Sequence, residues 1–176
     1  MMTTLKRFSL PILLLLVISC SQAEKAGEER QDEVLIENSG FFRGYILGSD
    51  PDSVLAIEEW TPTVVNDSMI QYNERLLLFE DTVTLDAYLA FDAYGLFEVQ
   101  VDVFTMNDTL SKTIIDQWSE SLSVPFGKPE NMMTSRRWTT FSESNNVIEI
   151  TLSQERNIES QKFISLNYLE PLDDEF

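Results

Sequence analysis

Carboxylates are the only abundant side chains in this chain that could carry out acid–base chemistry. The sequence has 30 Asp and Glu residues, no histidine and a single cysteine, Cys20. Without histidine it lacks the commonest general base and the usual protein ligand of zinc. It also contains no Gly-x-Ser-x-Gly elbow, no glycine-rich phosphate loop and no dinucleotide fingerprint. The chemistry left open is hydrolysis by paired carboxylates, as in glycosidases.

Two pairs of acids are placed so that they could act together. Glu58 and Glu59 are adjacent on a predicted helix, and Glu98 and Asp102 share one face of a predicted strand. The pair on the strand lies on its polar face, where we expect both side chains to be solvated. Catalysis would need a carboxylate whose surroundings shift its pKa, and the sequence shows no sign of one. We therefore predict no catalytic residue.

Two other acidic groups could hold a cation. They are Asp50 and Asp52 around Pro51, and Asp173-Asp174-Glu175 at the end of the chain. Neither group matches the spacing of a twelve-residue calcium loop. Capping of a helix and a solvated tail explain these acids better. We predict no metal site and no cofactor.

The tryptophans and the arginine doublet have structural interpretations. Trp118 and Trp138 each lie within an apolar pattern, which is typical of core residues. Arg136 and Arg137 form the one basic doublet of an acidic domain. They could meet a carboxylate of a partner, but local ion pairs are the simpler expectation.

The net charge excludes one class of partner. The chain carries 12 basic and 30 acidic residues, a formal net charge of −18. Residues 1–19 contain two basic residues and no acidic one, so their removal leaves a net charge of −20. A surface of this sign repels phosphate backbones, so we expect no nucleic acid as a partner. The acidity would suit a cationic partner or provide solubility.

The periodicity of the chain predicts two helices and six strands. Asp50 before Pro51 is typical of a helix start, and Asn107 can cap a second helix that has one apolar stripe. Alternation of apolar and polar residues from Phe97 to Val103, after a turn at Gly95, is the clearest strand pattern. The predicted strands are 76–79, 85–92, 97–103, 137–141, 147–154 and 162–169.

The same order of elements recurs at an offset of roughly 60 residues. The predicted fold class is therefore α+β, with two tandem helix-plus-three-strand units forming a mainly antiparallel sheet of about six strands covered by two helices. This pattern resembles the tandem-repeat β-lactamase-inhibitor-protein fold and small outer-membrane-assembly lipoproteins. The resemblance implies a binding module.

The first 20 residues have the features of an export signal. Lys6 and Arg7 precede an apolar run, Leu10 to Ile18, that is too short to span a bilayer. Val17-Ile18-Ser19-Cys20 closes this run and resembles the lipobox of bacterial lipoproteins. The resemblance implies cleavage before Cys20, acylation of its thiol and anchoring of the chain in a membrane.

Four parts of the chain follow from these patterns. We predict a lipoprotein signal peptide at 1–19, a flexible acidic tether at 20–39, a single α+β domain at 40–172 and an acidic tail at 173–176. Gln22-Ala23-Glu24 in the tether is similar to the export signals of surface-exposed Bacteroidetes lipoproteins. The expected location is the bacterial cell envelope, lipid-anchored on the periplasmic or the cell-surface side of the outer membrane.

A short pattern of Asp, then Ser or Thr, then an apolar residue occurs four times. It resembles the acceptor pattern of general O-glycosylation in Bacteroidetes. Two copies coincide with the predicted helix starts, where such residues are expected as caps. The other two place Ser68 and Thr82 in predicted loops, after Asp67 and Asp81, and these are the candidate glycosylation sites.

Together these features predict a membrane-anchored envelope lipoprotein that is not an enzyme and that contacts an unknown envelope protein. Two alternatives stay open: a carboxylate-dependent hydrolase of envelope polysaccharide and an acidic protein inhibitor of an enzyme. A cleft with two acids of raised pKa would favour the hydrolase. An acidic loop projecting from an exposed concave sheet would favour the inhibitor, and a flat apolar patch larger than about 400 Å² an assembly scaffold.

Overall fold

Among the described residues, two helices and eight strands follow an irregular N-terminal segment. The computed structural model describes residues 35–37, 39–142, 145–157 and 161–171. The helices are α1 (Pro51–Ile57) and α2 (Asp108–Phe126). The strands are β1 (Val64–Asn66), β2 (Met69–Leu78), β3 (Asp81–Asp92), β4 (Gly95–Phe104), β5 (Glu130–Asn131), β6 (Ser135–Phe141), β7 (Val147–Arg156) and β8 (Lys162–Leu169).

All eight strands join one antiparallel sheet in the order β1-β2-β3-β4-β8-β7-β6-β5. The predicted six-stranded sheet is therefore wrong. The additional strands, β1 and β5, are three and two residues long and lie at the two edges. Such short strands show no alternation, because their pairing comes from the neighbouring strand and not from local preference. Each half thus contains one helix and four strands, and the halves meet where β4 pairs with β8.

The predicted cover of two helices is also wrong, because α1 has seven residues, of which Val54 is the buried one. The first half of the sheet is instead covered by the N-terminal cover, which we define as residues 35–37 and 39–60. Phe42, Tyr45 and Trp60 of this cover are buried in the core. The ring centroid of Phe42 lies 6.0 Å from that of Tyr45 and 6.1 Å from that of Trp60, a spacing typical of packed aromatic side chains.

The domain includes residues that the predicted tether, 20–39, contains. Leu35 and Ile36 are buried, and Ile36 forms an isolated antiparallel bridge with Phe42. The backbone N–H of Arg43 donates to the carbonyl of Leu35 at 2.8 Å. These two apolar residues stand among acids, so the composition of the segment hides their contribution to the core.

Helix α2 covers the second half, packing on β6, β7 and β8. The side chain of Asn107 accepts hydrogen bonds from the backbone N–H groups of Thr109 and Leu110, at 3.0 and 3.1 Å, which confirms the predicted cap. Its buried stripe also matches the prediction, with Leu110, Ile114, Trp118 and Leu122 in the core. No helix among the described residues is long and apolar enough to cross a bilayer.

The sheet has one covered face and one open face. Val99, Val101 and Val103 of β4 point to the covered face and are buried. The indole N–H of Trp138 donates to the carbonyl of Gly127 at 2.9 Å, so this tryptophan is a core residue as predicted. Gln100 and Asp102 of β4 lie on the open face.

Candidate functional site

The sequence-predicted modification sites fall in different settings. Cys20 lies outside the described residues. Ser68 is exposed in the turn between β1 and β2, where its hydroxyl donates to the Oδ1 of Asn66 at 2.9 Å. Thr82 is exposed but lies in β3, paired with Leu77, so the expectation of a loop at this position is wrong. Ser68 alone keeps the predicted setting.

The arginine doublet forms the expected local ion pairs. Arg136 pairs with Asp116 of α2 at 3.1 Å, and Arg137 pairs with Glu130 of β5 at 2.8 Å. The two ion pairs connect neighbouring elements of the second half. Contacts within the domain therefore account for both arginines.

The adjacent acids Glu58 and Glu59 do not form a pair of catalytic groups. Glu59 is exposed, whereas the side chain of Glu58 is only 2% exposed. Arg43 donates to both oxygens of Glu58, and the backbone N–H groups of Glu59 and Trp60 donate to its Oε1 at 2.8 and 2.9 Å. The hydroxyl of Tyr45 also donates to it. Glu58 is therefore occupied by donors of its own domain.

The pKa values of this cluster follow from burial and hydrogen bonding. Burial alone would raise the pKa of Glu58, but the hydrogen bonds from Arg43 and Tyr45 outweigh it and hold the pKa below its usual value. Burial and the bond to Glu58 raise the pKa of Tyr45. Next to the cluster, burial raises the pKa of Tyr72 to about 12. The hydroxyl of Tyr72 and the indole N–H of Trp60 are buried without a hydrogen-bond partner among the described residues.

Asp102 is the carboxylate that differs most from the prediction. It lies on the open face but is only 7% exposed, and it accepts hydrogen bonds from the Ser165 hydroxyl at 2.7 Å and the Gln100 amide at 2.9 Å. Burial, and then the nearby charges of Glu155 and Asp86, raise its pKa. The expectation of a solvated Asp102 is therefore wrong. Side chains of the neighbouring strands bury Asp102, and the alternation of residues within β4 alone does not predict this burial.

The predicted pair of Glu98 and Asp102 is too widely spaced for joint chemistry. Four residues of strand separate their Cα atoms by about 13 Å, beyond the spacing of glycosidase carboxylates. Glu98 instead accepts a hydrogen bond from the amide of Asn167 at 2.7 Å. Asp86, by contrast, lies directly opposite Asp102 in the register of β3 and β4. This second pair has the cross-strand separation of about 5 Å between Cβ atoms.

A groove lies at the end of the sheet where β3 turns into β4 and β6 approaches β7. Its volume is about 880 Å³, and we call it the end groove. One wall is the N-terminal cover. The others are the turn before β4, the end of β6 with the start of β7, and the residue after β8. Its apolar lining residues are Phe41, Ile46, Leu47, Tyr94, Phe141 and Ile148.

The end groove exposes apolar surface and carries negative charge. Ile46 is 64% exposed, Tyr94 88% and Phe141 63%. Its charged lining residues are both carboxylates, Glu37 and Glu170. An adjoining cavity of about 600 Å³ shares Glu170 and Tyr94 and adds Asp92. The groove is thus an apolar surface with an acidic rim.

Backbone contacts hold the cover wall of the groove in place. The N–H of Gly48 donates to the carbonyl of Leu96 at 2.7 Å, and the N–H of Leu96 donates to the carbonyl of Ser49 at 2.8 Å. Gly95 has a φ of +118°, and a Cβ there would lie 2.4 Å from the carbonyl oxygen of Gly48. The close approach therefore requires glycine at 95.

Sequence reasoning missed the end groove because its walls come from four segments that are distant along the chain. One signal was available. Residues 41–47 contain five apolar or aromatic side chains, at 41, 42, 45, 46 and 47, without the period of a helix or a strand. Such a run indicates a segment that packs some of its apolar side chains on a core and leaves others exposed.

Comparisons of the chain with family models, with curated protein sequences and with solved structures found no match. The resemblances to bacterial lipoproteins and to the β-lactamase-inhibitor-protein fold therefore stay predictions from the sequence.

Proposed function

We propose that this protein is a membrane-anchored, non-catalytic lipoprotein of the bacterial cell envelope that binds another envelope protein through the end groove. The observation that carries the proposal is the exposure of Ile46, Tyr94 and Phe141 within one concave site. Contiguous exposed apolar surface with a polar rim is typical of interaction sites. Covering such surface contributes about 25 cal/mol per Å² of apolar area, which favours association.

The anchor would place the groove near the membrane. Leu35, the first described residue, stands fifteen positions after Cys20, and a fully extended chain of this length spans at most about 50 Å. Glu37, two residues further on, already lines the groove. A partner bound at Glu37 would lie within about 60 Å of an acylated Cys20.

Two experiments in the native envelope test the proposal. Cys20→Ser should abolish incorporation of labelled palmitate and release the protein from the membrane fraction. A photoreactive amino acid at Tyr94 should form adducts with a protein, while the same probe at Asn73, exposed on the open face, should not. Unchanged palmitate labelling would contradict the anchor. Adducts with lipid alone, or equal adducts from both positions, would contradict the binding site.

The hydrolase is the second candidate, because Asp86 faces Asp102 and the pKa of Asp102 is raised. Against it, the two oxygens of Asp102 already accept hydrogen bonds from Ser165 and Gln100. Release of soluble sugar from purified envelope polysaccharide, lost in Asp102→Asn, would favour the hydrolase over the binding protein.

The acidic-inhibitor alternative would need a projecting acidic loop, whereas Glu37 and Glu170 line a concave groove.

A further inference from the structure

We infer that the end groove takes a segment of a partner protein in which apolar side chains are combined with lysine or arginine. The inference rests on the proposed function, since it names the chemistry of the partner at the same groove. An apolar floor and an acidic rim select for a cationic, amphipathic ligand.

The two carboxylates stand on different walls. Glu37 belongs to the N-terminal cover, and its carboxylate lies about 3.0 Å from the position of a Cβ at Gly44, so the missing side chain makes room for it. Glu170 follows β8 at the end of the sheet, where the amide of Asn146 donates to it. A ligand lying on Phe41 and Ile148 between these walls would have a carboxylate available on either side.

The rim carboxylates form no ion pair among the described residues. The ion pairs among the described residues involve Glu58, Asp116, Glu130 and Asp108, none of which lines the groove. Asp92, in the adjoining cavity, adds a third acid and accepts a hydrogen bond only from the nearby backbone N–H of Tyr94 among its described contacts. The rim is therefore a local concentration of negative charge over exposed apolar surface.

The same charges disfavour a lipid surface as the occupant. Anionic headgroups would be repelled by Glu37 and Glu170, whereas the cationic side chains of a protein segment would be attracted. Apolar anchors of that segment would supply the affinity, and its charges would set orientation and selectivity.

Titration of the purified mature chain carrying Cys20→Ser tests the inference. The probes are a short peptide of alternating leucine and lysine, and the same peptide with glutamate in place of lysine. We expect the lysine peptide to bind at least about tenfold more tightly at low salt and to lose this advantage at high salt. NMR shifts of the methyl groups of Ile46, Leu47 and Ile148 should map the peptide to the groove.

A pair of variants with equal charge change separates the groove from the general acidity of the protein. Glu37→Gln with Glu170→Gln should weaken the lysine peptide several-fold, and glutamine at 170 keeps an acceptor for Asn146. Glu59→Gln with Glu80→Gln removes two exposed acids outside the groove and should change affinity little. Equal effects of the two double variants, or shifts spread over the open face, would overturn the inference.

The remaining outcomes distinguish this inference from the proposed function. Vesicles of neutral or of anionic phospholipid should produce no shifts at the groove methyls, and shifts with either vesicle would make lipid the occupant. A protein adduct from Tyr94 combined with equal binding of both peptides would keep the protein-binding function and reject a cationic partner. Absence of any protein adduct would reject the function itself.

Discussion

Arg43 donates two hydrogen bonds to Glu58, from Nε to Oε2 at 3.0 Å and from Nη2 to Oε1 at 2.9 Å. The guanidinium carbon of Arg43 also lies 4.1 Å from the ring centroid of Trp60. Arg43 and Glu58 flank helix α1, so their ion pair closes the segment that carries this helix. A seven-residue helix with one buried side chain has little stability of its own. The ion pair therefore joins the two ends of this segment within the N-terminal cover.

Arg43→Met should destabilise the domain by about 3–5 kcal/mol, because it leaves the carboxylate of Glu58 buried without its cation. Urea unfolding followed by tryptophan fluorescence measures this change. Arg137→Met, which removes an ion pair with the exposed Glu130, is the matched control and should change stability little. Equal losses in the two variants would show that the buried pair has no special role.

Acid should destabilise the domain partly through Glu58. Its pKa is lower in the folded protein than in the unfolded chain, so its contribution is complete above about pH 4.3, the ordinary value for Glu. The contribution is lost as the pH falls through the folded-state pKa. The free energy of unfolding, measured from neutral to acidic pH, should therefore fall less steeply in Glu58→Gln than in the natural chain. Parallel curves would contradict this assignment.

Asp102 should have the opposite pH dependence. Its pKa is raised in the folded protein, so its contribution is complete below about pH 4, the ordinary value for Asp, and is lost as the pH rises through the folded-state pKa. Asp102→Asn should therefore raise the Tm at neutral pH, and the difference should disappear in acid. Glu120→Gln, on the exposed side of α2, should leave the Tm unchanged at both pH values. A lower Tm for Asp102→Asn at neutral pH would mean that the charged form is needed.

Gly95→Ala should detach the cover wall from the sheet, since the added Cβ would meet the carbonyl of Gly48. Gly48→Ala provides the control, because Gly48 also has a positive φ, of +88°, but has open space at its Cβ position. We expect a cost of about 1–2 kcal/mol for the control from the backbone alone and a larger cost at 95. Hydrogen exchange at the N–H of Gly48 should be faster in Gly95→Ala, and unchanged exchange would contradict the contact.

Neighbouring positions on β7 test which face of the sheet is covered. Ile150 is fully buried, so Ile150→Asp should cost several kcal/mol, comparable to the whole stability of a domain. Thr151 lies on the open face opposite Arg137, so Thr151→Asp should have little effect. Thermal unfolding of both variants measures the two effects. A similar loss of stability at both positions would mean that the two faces of β7 are equally buried.

The predictable part of this fold is the part with local periodicity. Alternation at Val99 and Val101, and helical spacing from Leu110 to Leu122, define their elements without help from the rest of the chain. The short edge strands and the cover have no such period, because distant residues determine their positions. The environment of Asp102 was unpredictable for the same reason, since Ser165 and Glu155 reach it from other strands.

The pairing of β4 with β8 divides the chain into two halves that each form mostly from neighbouring hairpins. Contacts between the halves join residues far apart in sequence. The hydrogen bond from the Tyr168 hydroxyl to the carbonyl of Gly40, for example, joins residues 128 positions apart. Closing such distant contacts is slow compared with forming hairpins. Docking of the two preformed halves should therefore limit the folding rate, and a chain cut between β4 and α2 should reassemble from its two fragments.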